Sequence, residues 1–243
     1  TGRTVFEQAS DLVSRLRSVE IASKYRSRPR RTSLANGPCS MFHRQALVEV
    51  GGFDPAWYHA EDMEVSLRLL DAGGTIVYAP EAMVRHVPES GVKHFLSKRK
   101  RDARAHVRIV RHFPRRKRQG PGFDFLGSSS MVLCLLPLWL AILTAGVPFV
   151  WSLTSGDLSN PTTSLGRWEV QVLGVSATLL LIHELLLWRG PLGVVNREVM
   201  RSTTGSKFFA MFAVRGLTLR WSVALWHGLL LGCMDALLKR NGH

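Results

Sequence analysis

The chain has 243 residues, 46% of them hydrophobic, and carries 32 Lys and Arg against 18 Asp and Glu, a formal charge of +14. Residues 1–127 hold most of the charge, whereas 128–243 contain three long apolar stretches. This excludes a single soluble core and favours a small charged domain followed by a membrane region. In a soluble protein such a basic excess would suit nucleic acid; beside membrane spans it is the excess that the positive-inside rule predicts, so no nucleic-acid partner is expected. Cys39, Cys134 and Cys233 lie far apart and form neither a disulfide framework nor a metal-type spacing. The chain opens on Thr1 with no signal-peptide pattern and is expected to begin within a longer protein.

In chain order, Val5, Phe6, Leu12, Val13, Leu16 and Val19 fall near one face and predict a helix over 3–20 that needs a partner sheet. A basic linker from Lys24 to Arg31 follows, and then Asn36-Gly37-Pro38 through Arg44, which reads as a turn entering a short strand. A short helix over Gln45 to Val50 stops at Gly51-Gly52-Phe53-Asp54-Pro55, where the glycines allow positive φ and the proline forbids continuation. From Glu61 to Ala72, Met63, Leu67 and Leu70 align on one helical face, with acidic residues in the first turn and Gly73-Gly74 as the stop. Thr75 to Ala79 and Ala82 to Val87 predict strands, and 93–112 predicts a helix with a narrow apolar stripe in a basic surface.

The apolar stretches cover 129–151, 168–188 and 208–238, each long enough to cross about 30 Å of hydrocarbon at about 1.5 Å per residue. The third contains Arg215, Arg220 and Asp235, so its opening turns are expected at the interface and 216–238 in the membrane. Charged groups inside spans are costly and should pair; Glu184 with Arg220 is the pair expected here. Tryptophans 139, 151, 168, 188, 221 and 226 include several at span ends, as in aromatic belts. Basic residues before the first span and between the second and third put the N-terminal domain and the second loop inside and the first loop outside.

Taken together, Asn36-Gly37-Pro38 through Arg44, Gly51-Gly52-Phe53-Asp54, Glu61-Asp62, Leu67-Arg68-Leu69 and Ala72-Gly73 resemble the second half of a family 2 glycosyltransferase of GT-A fold, over about residues 30–90. The resemblance implies an α/β fold for 1–127, the acceptor-side half of a GT-A domain, followed by an α-helical membrane region over 128–243. It further implies sugar transfer with inversion from a nucleotide diphosphate donor to a lipid-linked or glycan acceptor, on the cytosolic face of a multi-pass cell-membrane protein. Asp62 matches the family's general base, Glu61 is its neighbour, and Asn36, Gly37 and Arg44 line the acceptor side. A carboxylate suits this step because a sugar hydroxyl must lose its proton as the bond from C1 to phosphate breaks. Set apart from the motif, Glu61 and Asp62 would merely complement a helix dipole, worth about 0.3 to 1 kcal/mol. Glu64, outside the pair, is expected to matter less.

The family also implies a divalent cation, Mg or Mn, to which His86 at the end of a strand could contribute an imidazole. No Asp-x-Asp sequence is present to supply the remaining ligands. Between Lys98 and Arg118 eleven Lys and Arg face a single acid, Asp102, and Lys98, Arg99, Arg101 and Arg104 are the residues expected at an anionic lipid surface. The Gln-x-x-Arg-Trp motif of processive relatives is missing here, which favours transfer of one sugar to a membrane-associated acceptor. The competing reading from another class is an inactive, membrane-anchored basic binding module.

Overall fold

The computed structural model describes residues 3–6, 11–23, 27–35, 37–57, 59–113, 125–154, 164–202 and 205–240. Strand β1 (Arg3–Phe6) precedes helix α1 (Leu12–Ser23), so the continuous helix predicted over 3–20 is two elements. Asp11 sets the division. Its Oδ1 accepts from Ser14 N at 2.7 Å while Ser14 Oγ accepts from Asp11 N at 3.0 Å, a reciprocal cap that starts the helix there. The other oxygen, Oδ2, accepts from Gly91 N at 2.8 Å and fastens α1 to the segment before the basic helix.

Strand β2 (Arg30–Thr32) begins at the end of the predicted basic linker; the turn predicted from Asn36 is present as a 3₁₀ turn over Gly37–Cys39, whereas the short strand predicted to follow it is irregular chain up to Arg44. Asn36 itself lies outside the described residues. Helices α2 (Arg44–Glu49) and α3 (Glu61–Asp71), strands β3 (Ile76–Tyr78) and β4 (Met83–His86) and helix α4 (Val92–His112) follow at the predicted positions. Among the described residues the strands make only two two-stranded ladders: β1 beside β4, parallel, with Phe6 opposite His86, and β2 beside β3, antiparallel, with Arg30 opposite Tyr78. The described part is therefore mostly helical.

The second half contains α5 (Phe125–Leu133), α6 (Leu135–Thr154), α7 (Ser164–Arg189), α8 (Pro191–Ser202) and α9 (Lys207–Leu237). Three segments, Ser129–Val147, Val170–Leu187 and Lys207–Leu237, are long and apolar enough to cross a membrane by length and composition. The first is broken at Cys134. Pro137, two residues further into α6, has no N–H to give the Leu133 carbonyl one turn back, and that oxygen accepts from Trp226 Nε1 at 2.9 Å instead. Trp226, like Trp221, which packs edge-on against Phe95 at 5.3 Å, thus serves the core rather than a belt. Trp151 is 74% exposed, as a lipid-facing residue would be. Glu184 pairs with Arg215 at 2.6 Å rather than with Arg220, because Arg215 reaches it from α9.

One apolar cluster joins the two halves. Val13 and Leu16 of α1 pack with Phe95 of α4, with Leu192, Val195 and Val199 of α8, and with Leu217, Trp221 and Leu225 of α9. The partner of α1 is thus a helix from the loop between the second and third apolar stretches, a helix the sequence reading left out. The broadest contact is between α4 and α9. Phe95 meets Trp221, Ala103 meets Gly228 and Val107 meets Gly232, so the helices run side by side in the same direction. A Cβ at Gly228 would stand 2.1 Å from the Lys100 carbonyl oxygen, which is why a residue without a side chain is required there. Arg104 of α4 closes the seam with two bonds to Asp235, at 2.6 and 3.0 Å.

Candidate active site

The site is assembled on the first turn of α3. Helix α2 ends in a Schellman arrangement: Gly51 N donates to Val48 O at 2.9 Å and Gly52 N to Leu47 O at 2.8 Å, with φ of 85° and 72° at the two glycines. The carbonyls left pointing away are captured by Arg68. Its Nη2 donates to Gly52 O at 2.7 Å and its Nη1 to Val50 O, while Nε and Nη2 hold both oxygens of Glu64 at 2.6 Å. Phe53 of the same turn packs edge-on against Phe42 at 5.6 Å. The spacing of the Gly-Gly turn and the Leu-Arg pair therefore has a mechanical reason: an arginine in the last turn of α3 ties down the loop that aims the acidic pair.

Ala60, just before α3, has φ 64°, a left-handed conformation that a residue with a Cβ adopts at a cost of about 1 to 2 kcal/mol. Asp62 follows, half-buried. Its Oδ2 accepts from Gly37 N at 3.3 Å and its Oδ1 from Met63 N at 2.8 Å. Ser66, completely buried, donates from Oγ to the Asp62 carbonyl and accepts from Ala35 N at 2.9 Å, so Ala35 and Gly37 are both fastened to α3. Burial pushes the Asp62 carboxyl above its ordinary range; the Gly37 and Met63 amides oppose this, and the nearby charges of Glu61 and Asp102 add to it. Asp62 is thus a carboxylate held in place by amides yet more basic than usual, a combination suited to accepting a proton.

Of the other residues singled out in the sequence, Gly37 contacts Asp62 directly, Glu61 is exposed beside it, and Arg44 is exposed at the start of α2. Glu64, expected to matter less than the acidic pair, is only 4% exposed and committed to Arg68, a structural role in the same loop. His86 is exposed at the end of β4, with Nδ1 2.6 Å from Val87 O. Among the described residues no three His, Cys, Asp or Glu side chains converge as a metal site, so these residues do not by themselves fit a cation centre. Lys98 and Arg99 meet Glu89, which also holds Arg17 of α1 at 3.1 Å, and Arg104 meets Asp235; these cations are structural pairs as well as surface charges.

Trp57 and Arg108 were not singled out. Trp57 is buried between the Arg108 guanidinium, 4.0 Å from its ring centroid, and the rings of His112 and Phe113. Arg108 Nη1 also donates to Ala56 O at 2.7 Å. These contacts dock the Asp54-Pro55 turn onto α4. The available signal was a tryptophan outside every apolar stretch.

The described residues thus mount a half-buried carboxylate on a charged domain that docks through α4 onto helices long and apolar enough to cross a membrane. Residues 1–238 match the family described as Glycosyl transferase family group 2, and the chain belongs to that family. Membership implies an enzyme with a sugar donor and an acceptor. No curated protein and no solved structure matches the chain.

Proposed function

We propose that this chain provides the acceptor side of an inverting sugar transfer at a membrane. Asp62 takes the proton from the acceptor hydroxyl while that oxygen attacks C1 and the bond to the donor diphosphate breaks. The observation that carries this is the Asp62 carboxylate itself, fixed by the Gly37 and Met63 amides and made more basic by burial. One carboxylate suffices for inversion, since no covalent sugar intermediate has to form. Glu61 is assigned to the catalytic pair beside Asp62, Asn36, Gly37 and Arg44 to the acceptor side, and residues 1–127 to the catalytic part, on the cytosolic face. His86 is retained as one candidate ligand for the divalent cation common in the family, and no step is routed through it.

The test is Asp62→Asn in the full-length protein, assayed as turnover of radiolabelled donor by membranes and normalised to protein level. The amide keeps the shape and can still accept from a backbone amide, but it cannot take a proton, so turnover should fall by about 10² to 10⁴. Glu49→Gln, on the exposed side of α2, is the control and should stay near wild type. Asp62→Asn retaining more than about a tenth of turnover would remove the general-base assignment.

A further inference from the structure

Arg101, Arg104, Arg108 and Arg111 follow one another at steps of three, four and three along α4, which puts all four on one stripe of the helix. That stripe forms one wall of a cleft whose other wall is the end of α9, with Gly232, Asp235 and Ala236, and which Arg240 and His59 complete. Five arginines therefore line a space in which Asp235 is the one acid, and Asp235 is already bonded to Arg104 at 2.6 and 3.0 Å. Asp54 and Glu64 act on Arg108 from the side of the sugar-transfer site, but Glu64 is held by Arg68. The Nε atoms of Arg101 and Arg108 are buried and have no hydrogen-bond partner among the described residues. A buried guanidinium N–H left without an acceptor is costly, so such a cluster calls for an anion. The cleft is close to the proposed base, since His59 stands three residues before Asp62 and Arg108 bonds to the turn that leads there.

We propose that this cleft binds the phosphoryl group of a membrane lipid, a phosphate monoester or diphosphate. Guanidinium groups recognise such oxygens by paired N–H bonds, and five of them match a group that carries two or more negative charges. A lipid is the chosen source because one wall of the cleft belongs to α9, a helix apolar enough for the membrane, so the phosphoryl group would sit where the chain meets the bilayer. The inference deepens the proposed function by indicating a phosphoryl-bearing lipid as the acceptor class, but binding stands or falls independently of transfer.

The experiment uses the full-length protein in phosphatidylcholine nanodiscs and reads both binding and unfolding temperature. Wild type should bind a fluorescent long-chain alkyl phosphate at least tenfold more tightly than the matching phosphodiester lipid. Arg101→Gln/Arg111→Gln should weaken that binding about tenfold or more, because each arginine removed takes a charge-assisted bond from the phosphoryl oxygens. Arg108 is left in place since it also supports Trp57 and Ala56. The charge-matched control, Lys93→Gln/Lys207→Gln, removes two exposed cations outside the cleft and should stay within about twofold. Equal losses in both double variants, or no preference of wild type for the monoester, would overturn the proposal and leave only general surface charge. An affinity loss seen for soluble nucleoside diphosphate and not for the alkyl phosphate would also overturn it. If the arginine variant fails to fold, wild-type selectivity for the monoester decides. Because no reading depends on turnover, an inactive Asp62→Asn that still binds alkyl phosphate separates this inference from the general-base assignment.

Discussion

Asp62 is subject to opposing influences that make separate predictions. Its folded-state pKa is raised above the ordinary 3.8, first by burial, so the folded protein binds that proton more tightly than the unfolded chain does. The stabilisation this gives is complete below the ordinary carboxylate pKa and is lost as pH rises through the folded value; at neutral pH the ionised group opposes folding. Asp62→Asn should therefore lose turnover without lowering the unfolding temperature. The acid limb of the pH–rate profile should lie above the ordinary carboxylate range, and Asp102→Asn should move it downward, since the Asp102 charge contributes to the rise. A limb unmoved by Asp102→Asn would leave burial and the neighbouring Glu61 to set it. Arg68 makes the opposite kind of prediction. Arg68→Ala removes the bonds to Val50 and Gly52 and leaves the buried Glu64 without its partner, a loss of about 3 to 5 kcal/mol. Chemical denaturation of the two variants should separate them clearly: Asp62→Asn near wild type, Arg68→Ala far less stable.

At the scale of elements, what could be read from the sequence follows what local chemistry decides. Helices α2, α3 and α4 and strands β3 and β4 carry their own signals, periodicity bounded by Gly-Gly or Pro, and the structure has them within about two residues. The acidic pair was legible for the same reason, its turn being written into neighbouring residues. The remaining features depend on distant partners. Nothing local says that Arg3 to Phe6 pairs with Met83 to His86, that α1 packs on α8, or that Arg215 rather than Arg220 reaches Glu184. The glycines of α9 are a further case, since only the contact with α4 explains them. Gly232→Val would put its Cβ 2.7 Å from Val107 Cβ and 2.9 Å from the Arg104 carbonyl oxygen, and Gly228→Ala meets the Lys100 carbonyl. Either change should force α4 from α9 and cost about 1 to 3 kcal/mol or more through overpacking, read as a fall in unfolding temperature in detergent. Gly216→Ala, in open space on the same helix, should leave that temperature unchanged or raise it.

For the whole molecule, the seam between α4 and α9 limits how the chain can lie in a bilayer. From Trp221 to Asp235, α9 is flanked by a helix that carries eight Lys and Arg, and each such charge at the bilayer centre costs about 2.5 to 3.5 kcal/mol even on the lenient insertion scale. What remains free of α4 is Lys207 to Arg220, about 21 Å of helix at about 1.5 Å per residue, too short for about 30 Å of hydrocarbon and interrupted by Arg215 and Arg220. The expected arrangement is then two crossings, with α9 along the membrane surface in place of the crossing anticipated over 216–238, and with α8, which touches α1, back on the side of the charged domain. In a cysteine-free background, Lys239→Cys and Glu81→Cys should react with an impermeant thiol reagent from the same face of sealed vesicles. Labelling from opposite faces would require α9 to cross and α4 to leave it. With two crossings the bilayer would hold only a hairpin, and α9 would lie along its surface beside α4 as a strut of the charged domain, so that removing α9 should cost activity without setting the chain loose from the membrane.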